Sequence, residues 1–268
     1  MVSRHGNSII SISGEIREAF KGAADLILPY RCALCGDVSD SEDRFENYGC
    51  LYRKLYGKDS GLHLCGKCLS DLVSTDEQGR WLLCLSNPVE NDPCPGLALY
   101  LLFPYKGIIE RAVPKIKFGG QIGLARFFGC VLGSALFDVG LSADLMVPVP
   151  LSQKRLEERG FNQASEIAYP VSKLTGIRFA EDCLIRVRDT KKQSEITDEN
   201  LRANNVSGAF GVSDLWDVTG MTVIIVDDVA TTGATLHEAA AALYKAGAAK
   251  VLCAALAGNR SAKNAEPF

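Results

Sequence analysis

The chain has 268 residues, is 47% hydrophobic, carries a formal net charge of −3 and has a pI near 5.7. It is too apolar for a disordered protein and too acidic for a bulk polycation, so any nucleic-acid contact must be local. No apolar run approaches the ~18–20 residues of a membrane span, and the polar start from Met1 to Ser13 does not read as a signal peptide, so a soluble, cytoplasmic protein of one or two domains is expected.

Ser13 can cap a helix with Glu15 in its first turn; Ile16, Phe20, Ala23 and Ile27 then form one apolar stripe, and Pro29 stops it. Seven of the ten cysteines follow between Cys32 and Cys94. Thiols crowded into one third of a chain without a secretion signal point to metal rather than disulfides. Two CxxC pairs, Cys32 with Cys35 and Cys65 with Cys68, each aim two sulfurs at one point and together give the four-thiolate set that Zn²⁺ favours. The 29 residues between the pairs exceed the usual ribbon spacing, and Cys50 and His63 lie in that gap as fallback ligands. Cys84 and Cys94 stand singly, and both free thiols in a small apolar core and metal ligands remain open for them. From Cys32 to Cys94 eleven acids face six bases, which speaks against this module gripping phosphates by itself. A metal holding together a segment too small for its own core fits better.

After Cys94 the composition changes. From Tyr105 onward strand-like runs alternate with helical ones, as in an α/β domain with a largely parallel sheet, and a boundary near residue 98 is expected. Lys115 and Lys117 sit in an apolar context and are candidates for anion contact. The pattern predicts a helix over Leu124–Phe137, a strand over Leu145–Val149, a helix over Gln163–Leu174 with a kink at Pro170, and a short strand over Leu184–Val187. Thr190–Asn205 reads as a polar loop or lid. A strand over Thr222–Val226, a helix over Ala234–Lys245 closed by Gly247, and a strand over Val251–Leu256 complete the set.

The densest chemistry follows Val226. Asp227 and Asp228 come where the strand is expected to end, and the small-residue turn from Ala230 through Thr231, Thr232 and Gly233 to Ala234 and Thr235 opens the next helix. Ligands of open α/β sheets bind at that edge. Backbone N–H groups of such a turn, with the helix N-terminus and the Thr hydroxyls, can cradle a phosphate. Carboxylates beside it would repel the phosphate, so they serve a different purpose, accepting hydrogen bonds from sugar hydroxyls directly or through a metal-bound water. Acid pair plus phosphate turn suggests a ribose 5-phosphate.

This stretch resembles the motif with which type I phosphoribosyltransferases bind 5-phosphoribosyl diphosphate (PRPP). Three further stretches resemble one branch, the ComF (late-competence, amidophosphoribosyltransferase-like) family: Lys115-Ile-Lys117-Phe-Gly119; Val147-Pro-Val-Pro150 leading to Arg159-Gly160-Phe161-Asn162-Gln163; and Arg188-Asp-Thr190 with Gln193, Arg202, Asn205 and Gly208-Ala-Phe210. The cysteine module matches that family's zinc-ribbon region, and the resemblance covers roughly residues 30 to 257. It implies a type I phosphoribosyltransferase-like parallel sheet flanked by helices, preceded by a small zinc-ribbon module. It also implies that Asp227 and Asp228 hold the ribose hydroxyls and that Ala230 to Thr235 enclose the 5-phosphate. The pyrophosphate, with Mg²⁺, should face Lys154, Arg155 and Arg159, and Arg186, Arg188, Lys191 and Lys192 could close over it as a lid. Asp227, Asp228, Arg188 and Lys191 are the catalytic candidates. Two departures stand out: the second ribbon keeps only Cys84 and Cys94, and Thr231 stands where purine-salvage members carry an Asp associated with the incoming base.

Two readings follow. One is an enzyme passing the phosphoribosyl group to an unidentified nucleophile. The other is a binding protein that holds PRPP or a nucleotide as a signal, or single-stranded DNA for the competence machinery. Fifteen bases against twelve acids between Tyr105 and Arg202 permit DNA, but aromatic platforms are sparse, since Tyr105, Phe118, Phe127, Phe128 and Phe161 include core residues. A redox role for the CxxC pairs fits less well, because that motif wants a βαβ setting. The acceptor pocket is expected from the least recognisable segments, Leu97–Gly120 and the C-terminal end.

Overall fold

A computed structural model describes residues 31–38, 49–57, 62–76, 81–85, 94, 97–187, 208–258 and 266–267. The helix expected between Ser13 and Pro29 and the polar segment Thr190–Asn205 lie outside the described residues. In chain order the elements are α1 (Gly49–Tyr56), α2 (Gly66–Asp76), β1 (Trp81–Leu85), β2 (Leu97–Pro104), α3 (Ile108–Phe118), α4 (Ile122–Asp138), β3 (Leu145–Pro148), α5 (Gln153–Arg159), α6 (Gln163–Thr175), β4 (Arg178–Phe179), β5 (Leu184–Arg186), β6 (Phe210–Val212), β7 (Thr222–Ala230), α7 (Ala234–Lys245), β8 (Lys250–Gly258) and β9 (Glu266–Pro267). No described helix is long and apolar enough to cross a membrane.

Five parallel strands run in the order β4–β3–β7–β8–β2, and β1 and β9 add antiparallel strands at the β2 edge. The central strands carry continuous apolar runs, Val223–Val226 in β7 and Val251–Ala257 in β8, because both faces are covered there. Alternation along β7 sends Val223 and Ile225 toward Leu236, Ala239 and Leu243 of α7, and Ile224 and Val226 toward a core built with α3, α4 and α6. The antiparallel pair β5–β6 packs on the α7 side.

The sheet departs from the sequence reading in length and in content. β7 continues four residues beyond Val226 because β8 runs beside it as far as Gly258, so the acid pair lies within the strand instead of following it. The apolar stretch from Leu97 is an inner strand paired with β8, and α3 is a helix the sequence reading leaves unassigned. Its buried Ile108, Ile109, Ala112, Val113 and Ile116 keep helical spacing, while Pro114 sits exposed on the outer face and disguises the pattern.

Cys32, Leu34, Tyr52, Leu64, Cys68 and Leu72 of the cysteine region join one core with Phe103, Ile109 and Phe127. Residue 98 lies in β2, whose partners are β1 on one side and β8 on the other.

α4 and α6 meet backbone to backbone through glycines, and Arg126 Nε donates to Glu166 Oε2 across them at 2.6 Å. A Cβ on Gly129 would stand 2.4 Å from both the Ile167 carbonyl oxygen and Pro170 Cγ. Since one of these is backbone, the helices would have to separate. Gly129→Ala should cost about 1–3 kcal/mol by overpacking, read as a lower urea midpoint at unchanged slope.

Candidate functional site

The site forms where β3 stops and β7 goes on. Pro148 and Pro150 carry no N–H to continue a ladder, and the last link on that side is Val149 N–H to the Val226 carbonyl at 2.9 Å. Asp227 and Asp228 are therefore uncovered toward β3 while still paired toward β8, a crevice at the carboxyl ends of parallel strands. The pleat turns the two carboxylates to opposite faces. Asp228, buried, is met on the α3 side by Lys117 Nζ at 3.1 Å from its Oδ2. Asp227, partly buried, lies on the α7 side with Cys253, and its Oδ1 accepts the Asp228 N–H at 2.8 Å.

The Arg159–Gln163 string builds a corner beside the acids. Gly160 ends α5 in the left-handed region at φ 77, a conformation few other residues take without cost. Asn162 then caps α6 by accepting the Ala164 N–H at 3.1 Å, and its Nδ2 donates to the Val149 carbonyl at 3.0 Å, tying the corner to the end of β3. Arg159 Nη1 donates to Oε1 of the buried Gln163 at 2.7 Å, and its guanidinium lies 5.2 Å from the centroid of the Phe118 ring. Burial draws the Arg159 guanidinium below its ordinary value, while Asp228 and Asp227 pull the other way. Lys154 is exposed and Arg155 partly buried in the first turn of α5, with Arg155 close enough to act on Arg159 electrostatically.

Beyond the acids, residues 229–236 and Asp227 line an open cradle of ≈ 210 Å³ that includes its solvent mouth. Gly233, at φ 78, turns the backbone into α7, and Thr232 Oγ1 accepts the Ala234 N–H at 3.4 Å. Thr231 and Thr232 are exposed at its lip. Small side chains leave the turn's amides and the N-terminus of a 12-residue helix facing one space, an arrangement suited to a phosphate. Arg186 stacks on Phe210 at 5.2 Å in the β5–β6 pair. Arg188, Lys191 and Lys192 lie outside the described residues.

The two CxxC turns converge. The sulfurs of Cys32, Cys35, Cys65 and Cys68 all lie within 4.8 Å of one another, with Cys35 and Cys65 at 3.6 Å. Tetrahedral thiolates about 2.3 Å from one ion would stand about 3.8 Å apart, so the four could hold a metal ion. Burial pushes the Cys32 thiol up, but backbone N–H groups of Cys65, Cys35 and Leu34 outweigh it and bring it down to about 7. Burial and the neighbouring thiols push Cys35 up to about 11. Cys94 is buried on the far side of the sheet, its thiol 4.0 Å from the His237 carbonyl, apart from the cluster's core. The side chains of Cys50 and Cys84 lie outside the described residues.

The structure thus brings together the acid pair, the Ala230–Thr235 turn and Arg159. It adds two groups whose roles the sequence leaves general. Lys117 reads in the sequence only as a contact for some anion, and that anion is Asp228. Phe118, counted among aromatics that include core residues, is 77% exposed, whereas Phe127 and Phe128 are fully buried. A helical reading through Pro114 would have put Lys117 and Phe118 together at a helix end.

A family described as "Phosphoribosyl transferase domain" matches residues 156–267. The DNA utilization protein YhgH of Salmonella typhi is 38% identical over 187 residues, covering 70% of this chain and 74% of its own. The competence protein ComFC of Bacillus subtilis is 32% identical over 149 residues, 55% of this chain and 58% of its own. Among solved structures, the glutamine PRPP amidotransferase of B. subtilis overlays 54% of this chain and 30% of its own at 20% identity and a TM-score of 0.37, too faint a likeness to argue from.

Burial and the Asp228 carboxylate push the Asp227 carboxyl up to about 7. An acid raised on folding binds its proton more tightly in the native state, so stability falls as pH rises from the ordinary value near 3.8 through about 7, then levels. Asp227→Asn removes that slope. In urea denaturation the variant should gain on wild type between pH 5 and pH 8, and an equal offset at both pH values would contradict the assignment.

Proposed function

Because this chain belongs to the ComF family of phosphoribosyltransferase-like proteins, we propose that it binds PRPP at the Asp227–Asp228 crevice and transfers the phosphoribosyl group to an acceptor, releasing pyrophosphate. The observation that carries this reading is the acid pair on the part of β7 that β3 leaves uncovered, running directly into the Ala230–Thr235 cradle. In it the cradle takes the 5-phosphate and the carboxylates take the ribose hydroxyls. The diphosphate lies toward α5, where Lys154, Arg155 and Arg159 neutralise it.

The transition state of such a transfer is oxocarbenium-like, with positive charge growing at the anomeric carbon and negative charge on the departing diphosphate. The chain's work is then to hold charge in place. Arg159, fixed by Gln163 and Phe118, is pre-positioned for the leaving group. Lys117 holds Asp228 against the α3 side and offsets one of two adjacent negative charges. Mg²⁺ bound with the diphosphate supplies further charge neutralisation, and the hard carboxylate oxygens of Asp227 suit such an ion. Arg186, Arg188, Lys191 and Lys192 would form a lid that keeps water from the anomeric carbon. Zn²⁺ is the ion assigned to the four cysteines, with a structural role, and the cytoplasm is the expected compartment.

A non-catalytic reading, in which the protein holds PRPP or single-stranded DNA for a competence apparatus, draws on the relatives named for competence and DNA utilization. Pyrophosphate release separates the two, since a binder shows none.

Asp227→Asn and Asp228→Asn keep size and remove charge. Calorimetry with Mg²⁺ should show PRPP binding weakened by about 1–3 kcal/mol for each charged hydrogen bond lost, with the fold intact. Unchanged affinity in both variants would refute the ribose assignment. For the metal, purified protein should carry about one zinc per chain, and the Cys65→Ser, Cys68→Ser double variant should lose it. Metal content equal to wild type in that variant would rule out the shared site.

A further inference from the structure

We propose that Gln163 is a positioning residue that keeps Arg159 off the Asp227–Asp228 pair, an inference that rests on the PRPP reading above. The carboxylates thereby stay open to a sugar and the guanidinium to an anion. A guanidinium presents a planar fork of N–H donors that fits a carboxylate as well as it fits a phosphate. At Arg159 these two fits compete. Burial strips part of its hydration; Asp228, Glu158 and Asp227 attract it, and Arg155 repels it. Yet among the described residues it forms an ion pair with none of the three carboxylates. Its hydrogen bond goes to a neutral group, Oε1 of Gln163 at 2.7 Å, and its face lies 5.2 Å from the centroid of the Phe118 ring. Asp228 takes Lys117 at 3.1 Å instead, and Asp227 Oδ1 takes a backbone N–H.

Gln163 is placed to hold that arrangement. It is the first residue of α6, is 1% exposed, and follows Asn162, which is pinned to the end of β3 through the Val149 carbonyl. A side chain already confined by burial loses little further freedom when it grips a partner. Its own polar groups are not all satisfied: Nε2 is buried and has no hydrogen-bond partner among the described residues. A buried amide donor left unpaired destabilises the fold, and an apolar side chain of the same length would remove that penalty. The amide is kept despite it, and the one side-chain hydrogen bond it makes among the described residues is to Arg159. A buried polar group that packing does not explain marks a functional demand. Without the Gln163 acceptor, attraction through low-dielectric protein draws the fork onto the acid pair. That internal ion pair closes the crevice and cancels the charge that a departing diphosphate needs.

Gln163→Met keeps length and burial and removes the acceptor. It should resist urea at least as well as wild type, since it also removes the unpaired donor; a less stable variant would make the amide a structural support and count against the proposal. In a crystal structure of the variant the guanidinium should lie on Asp227 or Asp228. A guanidinium left where wild type has it overturns the proposal, whether or not the protein binds PRPP. Binding supplies the second readout. Wild type is titrated first with PRPP and Mg²⁺; if it does not bind, the PRPP reading fails and the crystal structure alone decides where Gln163 puts Arg159. Ribose 5-phosphate has no diphosphate to engage Arg159, yet Gln163→Met should bind it about tenfold more weakly, because the carboxylates are occupied. Adding Arg159→Ala to that variant should bring ribose 5-phosphate back to within about twofold of wild type while PRPP stays weak. Damage to packing would not be cured by a further truncation. A double variant as weak as the single one, or a single variant as strong as wild type, refutes the role.

Discussion

Two carboxylates on consecutive residues of a largely buried strand repel each other in low-dielectric protein, a cost to the folded state that the surrounding structure offsets. The pleat separates them to opposite faces, Lys117 neutralises the buried member, and the Asp227 carboxyl, pushed up to about 7, holds a proton into the neutral range. Each remedy commits other parts of the molecule. Lys117 can reach Asp228 only if α3 packs where it does, and α3 is seated by Ile108, Ile109, Ala112 and Val113 in the core that also contains Leu72, Cys68 and Cys32. Arg111 at the solvent face of α3 meets Asp71 of α2 at 3.5 Å, a rim contact of little energy that follows the same seam. The cysteine cluster is thereby part of the foundation on which the acid pair rests.

The rest of the site is backbone arranged by a few special residues. Prolines end the β3 ladder, Gly160 and Asn162 turn α5 into α6, and Gly233 turns β7 into α7. None of these residues needs to touch a ligand to matter. They decide where amides and guanidinium groups stand, so that the groups which bear charge in the proposed chemistry are in place before anything binds.

Much of this is legible from residue order, and the reasons for what is not are physical. Continuous apolar runs ending in acids and glycines announce parallel strands with a ligand edge, and two CxxC turns announce a thiolate cluster however long the gap between them. Strand length is not legible, because β7 persists through Asp227 and Asp228 on the strength of pairing with β8, a partner more than twenty residues away that no local pattern contains. α3 is hidden by a single proline on its exposed face. The environment of Phe118 is hidden for a similar reason: an aromatic at the end of an apolar stretch reads as core, and only the packed fold shows that it lies 77% exposed past the interior.

The order of strands has a consequence for how the chain reaches this state. β2 lies between β1, just before it in sequence, and β8, about 150 residues further along. Until β8 has left the ribosome, one edge of β2 has no partner and the sheet's contacts remain of high sequence separation, the condition under which folding is slow and nascent chains are exposed to aggregation. The four thiols, by contrast, are drawn from residues 32 to 68 and can meet early. The first third of the protein is thus synthesised with its four thiols within reach of one another but long before the strand that will flank β2.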